Sequence, residues 1–271
     1  MMRITFTIDL SNCMIFIITA LATFLASLIS SIFGGGFGLI CVPAFYWIIT
    51  TFYPHLPDAM QIAIATCGLS SLPMGLMSTI RQIRYKSVDF QLYKKIIVFM
   101  TIGCLFGVLI AISIKSDNLK YVFSALVFIV AIWMAKFKPG KSKIITPPKN
   151  IFRLLSSCVG AISSMLGISI LNVPFFIKCG IDIRTAIGTS SALIVSYSTI
   201  AIIWMICLGL AKFGVSSVQV GYANLPVFAA AVIPGLIGAV IGVKIVHILP
   251  EKILKRAFIV VMLIASFSML F

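Results

Sequence analysis

Apolar residues in this chain run on in long blocks, and short polar clusters separate them. Blocks of this length read as membrane spans, since a helix crosses the hydrocarbon with about 20 apolar residues. They predict helices over Gln61–Ile80, Ile96–Ile114, Leu119–Ala135, Thr185–Leu210, Val220–Val243 and Lys252–Phe271. Two blocks do not fit a single plain crossing. Cys13–Thr51 is too long and contains Gly34, Gly35, Gly36 and Gly38. Ile151–Lys178 is also longer than a crossing needs, and it contains Gly167 and Pro174.

Glycines in a helix interior each cost about 1 kcal/mol against alanine, so both blocks are expected to break. Broken backbone at membrane depth is tolerated only beside protein or a water-filled cavity. A break also exposes N–H groups and the positive end of a half-helix dipole, which suit an anion. Pro43 and Pro174 are expected in the first turn of a restarting helix, where a missing N–H costs nothing. The competing reading is that the glycines allow close helix packing. It is the favoured one for Gly103, Gly107, Gly235, Gly238 and Gly242.

The two broken blocks resemble each other. "SSIFGGGFGLICVP" is answered by "SSMLGISILNVP", with Gly36 set against Gly167 and Val42-Pro43 against Val173-Pro174. Three further matches follow in the same order. Ala63–Cys67 (AIATC) matches Ala186–Ser190 (AIGTS), Ile102–Ala111 matches Ile233–Gly242, and Leu119–Phe123 matches Leu254–Phe258. This order predicts an internal duplication: a first membrane repeat over 1–135, a basic linker over 136–150 and a second repeat over 151–271.

Basic residues orient the halves, because Lys and Arg collect in cytoplasmic loops. If each broken block enters and returns, Arg81–Lys95, Lys136–Arg153, Lys178–Arg184 and Lys244–Arg256 share one side. These segments hold 17 of the 21 Lys and Arg residues. That arrangement inverts one half against the other and puts both termini outside.

Composition agrees with a membrane setting. Of 271 residues, 61% are hydrophobic and only 10% charged, whereas soluble domains carry about a quarter charged residues. The net charge of +15 does not indicate nucleic acid, because the cations sit in short loops where anionic lipid would meet them. Seven scattered cysteines give neither a disulfide framework nor paired metal-ligand spacing, and no metal or cofactor is expected. Cys13, Cys104, Cys158 and Cys207 read as small apolar helix residues. Arg3 and the run Cys13–Ala26 could imitate a secretory signal. The run continues into the glycines without a clear cleavage site, so a retained first helix is expected.

The Gly-rich stretch closing in Val-Pro, the motif at Ala186–Ser190 and the tail "VGYANLP…IPGLIGAVIGVKIVHILPEKILKRAF" together resemble the sulfite exporter TauE/SafE family. The resemblance spans about Ser27 to Leu270. It implies a multi-pass permease of the inner (plasma) membrane that moves sulfite, sulfonates or related small organic anions. The sequence departs from the family pattern at "GISILNVP", where several glycines are usual, and at "IATC", which replaces Gly-Thr-Ser.

The expected fold is therefore all-α: a polytopic membrane protein of about eight transmembrane helices, with Gly/Pro-broken or re-entrant segments and two inverted halves. Candidate substrate-binding residues are Gly34, Gly35, Gly36, Gly38, Pro43, Thr66, Gly167, Ser169, Asn172, Pro174, Gly188, Thr189 and Ser190. The hydroxyls of Thr66, Thr189, Ser190 and Ser191 could bond an oxyanion or a carbonyl of their own helix. Asn172 reads as a site or gate residue. Asn224, beside Pro226, reads as structural, bonding a carbonyl freed by that proline. Lys178, Asp182 and Arg184 form either a solvated turn or an anion funnel. His55 and His247 have no acidic neighbour in sequence and receive no catalytic role.

The six acidic residues, Asp9, Asp58, Asp89, Asp117, Asp182 and Glu251, fall in or beside predicted loops. Proton-coupled carriers bury carboxylates as relays, and no predicted helix centre holds one. Anion export down a negative-inside potential needs none, since the potential supplies roughly 2.3 kcal/mol per charge per 100 mV. The alternatives are an importer of another small metabolite and, in a different class, an intramembrane sulfur-transfer enzyme using Cys41 or Cys67. The enzyme would need a base or metal that the sequence does not offer.

Overall fold

A computed structural model describes residues 10–136, 148–167, 169, 171–216, 218–246 and 251–269. Within them lie ten helices: α1 (Leu10–Phe33), α2 (Phe37–Phe52), α3 (Ala59–Arg84), α4 (Phe90–Ser113), α5 (Ser116–Lys136), α6 (Lys149–Leu166), α7 (Asn172–Lys178), α8 (Ile183–Phe213), α9 (Leu225–Val246) and α10 (Glu251–Ser268). Five are long and apolar enough to cross a membrane: α1, α3, α4, α8 and α9. The chain is an all-α integral membrane protein in its main architecture.

Each misfit block divides where its glycines stand. Gly34 (φ +67°) and Gly167 (φ +66°) both adopt the left-handed conformation that ends a helix. In the first block the Gly35 N–H closes the turn on the Ser30 carbonyl at 3.1 Å. In conformation "SSIFG" matches "SSMLG", with Gly34 and not Gly36 ending its helix as Gly167 does. Gly36 (φ +98°) instead precedes α2 as its N-cap. Val-Pro falls in the second turn of α2 but in the first turn of α7, so Val42 lies eight residues after Gly34 and Val173 only six after Gly167, and aligning backwards from Val-Pro misplaces the glycines.

The prolines differ as well. Pro174 lies in the first turn of α7, as expected. Pro43 lies in the second turn of α2, because that helix already starts at Phe37. There the missing N–H leaves a carbonyl one turn back without its usual donor.

The expected helix over Val220–Val243 starts late. Gln219–Val220 and Ala223–Asn224 pair as a small antiparallel hairpin, with Gly221 (φ +58°) in its turn. The helix begins at Leu225, where Pro226 occupies a position that needs no N–H. Asn224 is structural, but not through a carbonyl: its Oδ1 accepts the Val227 N–H at 3.1 Å and caps the helix.

The helices form a bundle whose loops sort to two ends. At one end the start of α3 meets the α4–α5 turn, with Met60 N–H on Ser116 Oγ (2.8 Å) and Gln61 Nε2 on the Ile114 carbonyl (2.7 Å). Lys212, closing α8, pairs with Asp58 at 2.5 Å there. At the other end the α3–α4 turn meets the start of α8, where the Asp89 N–H reaches Thr189. Near that end Arg81 Nη1 donates to the Val240 carbonyl of α9 at 2.8 Å.

Glycine contacts fix the long seams. A Cβ on Gly103 would lie 1.8 Å from the Ser157 carbonyl oxygen, and one on Gly107 2.1 Å from that of Ala161. Gly238 and Gly242 stand in the same relation to Phe24 (2.3 Å) and Leu28 (2.5 Å). So α4 lies parallel to α6 and α1 parallel to α9, with backbones in direct contact at small residues. The packing role expected for these glycines is what the geometry gives. Helices α3 and α8 pack against each other at the centre, and α5 packs against α10.

Candidate functional site

The two breaks meet. A Cβ on Gly35 would lie 2.6 Å from the carbonyl oxygen of Ser169, and one on Gly34 2.9 Å from the Ile187 backbone of α8. Gly167 faces Val42 and Ile64 at 3.3 and 3.4 Å. The Ser190 hydroxyl donates to the Gly34 carbonyl at 2.9 Å and ties the first break to α8.

Beside this junction lies a cavity of about 70 Å³, lined from α1, α2, α3, α6 and α8. It has ten serines: Ser27, Ser30 and Ser31 on α1, Ser71 and Ser78 on α3, Ser163 and Ser164 on α6, Ser169 in the second break, and Ser191 and Ser198 on α8. No Asp, Glu, Lys, Arg or His is among the lining residues described. Gly34, Gly38 and Gly167 contribute backbone, and Phe37 and Gly38 present the start of α2, where the next N–H, that of Leu39, is taken by the Gly36 carbonyl at 3.0 Å. The Ser27 hydroxyl is buried and reaches no partner among the described residues. Tyr197 also faces the cavity; its hydroxyl accepts from Asn172 Nδ2 at 3.2 Å.

Of the residues singled out from sequence, Gly34, Gly38, Gly167, Ser169 and Ser191 line the cavity. Gly35 and Gly36 lie in the break itself. Asn172 stands behind Tyr197 and is fully buried, with its Oδ1 unpartnered among the described residues. Thr66, Gly188, Thr189 and Ser190 are used elsewhere. Thr66 Oγ1 accepts the Asn224 N–H (2.9 Å), and Thr189 Oγ1 accepts the Asp89 N–H (3.0 Å). Gly188 admits the Ser87 backbone, since a Cβ there would lie 2.3 Å from its carbonyl oxygen. Only Ser191 bonds its own helix, through the Ile187 carbonyl at 3.0 Å. Pro43 and Pro174 sit in α2 and α7 as described above, and neither lines the cavity.

Most of the serines were not singled out from sequence, although a signal existed. Ser27, Ser30, Ser31 and Gly34 recur at helical spacing, as do Gly68, Ser71, Gly75 and Ser78. Each set is a stripe of small polar residues along one helix face.

The remaining candidates have plain surroundings. Cys41 and Cys67 are buried side by side between α2 and α3, away from the cavity lining. Asp182 caps α8 by accepting the Arg184 N–H at 3.0 Å, and Lys178 closes α7. His55 packs edge-on against Tyr53 in the α2–α3 loop; His247 lies outside the described residues. Asp58, Asp89 and Asp182 precede α3, α4 and α8, Asp117 lies in the first turn of α5, and Glu251 opens α10. The carboxylates of Asp58, Asp89, Asp117 and Asp182 thus stand at the positive ends of helix dipoles.

Comparison with known proteins places this architecture. The chain is 22% identical over 267 residues to the probable membrane transporter protein YdhB of Bacillus subtilis, covering 93% of this chain and 98% of that one. It is 23% identical over 237 residues to a probable membrane transporter protein of Methanocaldococcus jannaschii, covering 86% of each. No solved structure matches it. The sequence profile of the sulfite exporter TauE/SafE family matches residues 19–269. With nearly the whole length matched and a helical membrane fold, the chain belongs to the sulfite exporter TauE/SafE family of membrane transporters.

Proposed function

We propose that this transporter exports a small anion across the inner (plasma) membrane: sulfite, an organosulfonate or a related sulfur-containing or organic anion. The observation that carries the reading is the serine-lined cavity at the junction of the two breaks. Serine hydroxyls donate hydrogen bonds without a fixed charge, so they can hold an anion and release it. The first turn of α2 adds N–H groups and a positive dipole end. Among the described residues the carboxylates stand at helix starts, which fits passage driven by the membrane potential better than a buried proton relay.

Alternating access is carried by two inverted repeats, α1–α5 and α6–α10. Exchanging the halves turns the α1–α9 seam into α6–α4, the α3–α8 contact into itself, and the α5–α10 contact into itself. It also turns the Thr66–Asn224 bond into Thr189–Asp89, each joining a third helix to the start of the other half's fourth. Repeats of this kind place substrate at their interface near the midplane, which is where the cavity lies in this reading.

The test uses the purified protein in liposomes loaded with sulfite, with a potential imposed in either direction. Efflux toward the positive side, lost when cavity serines are replaced, supports export. Uptake that ignores the potential, or no movement of any anion offered, overturns it.

A further inference from the structure

The cavity's lack of charge bears on which ionic form of the substrate it accepts; this inference rests on the transport reading above. We infer that the site carries singly charged anions, and that a small oxyacid able to form a dianion passes only in its protonated, singly charged form.

Three observations support it. First, none of the described lining residues is ionisable except Tyr197, whose hydroxyl is held by Asn172 at 3.2 Å. Arg81, a turn beyond the lining residue Ser78 on α3, is tied to the Val240 carbonyl. Second, within the described lining the positive potential is that of one helix N-terminus, at Phe37 and Gly38, equivalent to roughly half an elementary charge, and Arg81 lies outside that lining. The cost of burying an ion grows with the square of its charge, so a dianion costs roughly four times as much to desolvate as a monoanion. Half a charge and a set of hydroxyls can offset the smaller cost. They cannot offset the larger.

Third, the lining hydroxyls both donate and accept. A bare dianion has only acceptors, whereas a protonated oxyanion also brings a donor. Ser27, 1% exposed and without a partner among the described residues, offers the acceptor such a group needs.

The experiment measures flux of three anions from liposomes holding the whole protein, at equal pH on both sides and fixed total concentration. Sulfite exchanges between dianion and monoanion across neutral pH, sulfate stays a dianion there, and methanesulfonate stays a monoanion. The expected result is a sulfite flux that rises as pH falls, in proportion to the monoanion. Methanesulfonate flux should be independent of pH, and sulfate flux should be at the level of empty liposomes. Reversal potentials should give one charge moved per sulfite. Sulfite flux that rises with pH, sulfate flux equal to that of sulfite, or two charges per sulfite would overturn the inference while leaving the transport reading intact. No flux of any of the three would remove the transport reading and this inference together.

Discussion

The Asn224 backbone N–H donates to Oγ1 of Thr66 across 2.9 Å, joining the first third of α3 to the residue just before α9. Both residues are fully buried. The bond has a counterpart in Asp89 and Thr189 at 3.0 Å, so each threonine holds the entry to a distant helix.

Replacing Thr66 or Thr189 by valine keeps the shape and removes the acceptor. A buried N–H left without a partner costs about 1–3 kcal/mol. Thermal unfolding in detergent should show both valine variants destabilised by that order, with serine restoring most of the loss. If the valine variants unfold like the parent, these bonds do not hold the helix starts.

Cavity serines should behave in the opposite way. Ser31→Ala and Ser198→Ala remove one hydroxyl each from the cavity wall. A hydrogen bond to a charged group contributes about 1.5–3 kcal/mol, so KM for the anion should rise about tenfold or more at unchanged protein abundance. Unchanged KM in both would move the binding site elsewhere.

Gly107 sits 2.1 Å, measured from a constructed Cβ, from the Ala161 carbonyl oxygen. Leucine there would wedge α4 away from α6, at more than the ~1–3 kcal/mol typical of overpacking. The expected outcome is loss of folded protein in membrane extracts. Normal yield of Gly107→Leu would show that the seam can open freely.

The sidedness of the bundle is open to labelling. Lys115 and Lys212 lie at the end where Asp58 pairs with Lys212 and the Met60 N–H meets Ser116, and Lys86 lies at the opposite end near α8's start. Cysteines replacing Lys115 and Lys212, in a background without native thiols, should react with an impermeant reagent from outside. A cysteine at 86 should not, and its labelling would reverse the orientation. Lys141, expected on the inner side with Lys86, lies outside the described residues.

Cys41 and Cys67 are buried and off the cavity wall. Replacing both by alanine should preserve transport while lowering thermal stability modestly. Loss of all activity with intact folding would revive the sulfur-transfer alternative.

The broken helices were legible in the sequence because clustered glycines make a helix costly to continue, even inside an apolar run. The cavity was harder to read. A serine on a membrane helix reads equally as a packing residue, and only tertiary structure says which face meets a void. Thr66 and Thr189 illustrate the limit. Their motif was legible, but their partners, Asn224 and Asp89, lie far away in sequence, so a backbone-holding role could not be separated from an anion-binding one. Pro43 and Gly36 were misplaced for a simpler reason. Val-Pro stands one turn deeper in α2 than in α7, and matching the two Val-Pro pairs hid that difference.

The parallel seams carry a consequence for how the chain assembles during synthesis. Helix α1 is complete at Phe33, yet the glycines that receive it, Gly238 and Gly242, emerge only with α9. The α4–α6 seam can close as soon as α6 follows, while α1 must wait for nearly the whole polypeptide. Its clasp is therefore a late step of insertion, with only the docking of α10 on α5 still to follow. A chain severed between α5 and α6 would leave each fragment with one side of both seams, so the pieces would recover the fold only when made together.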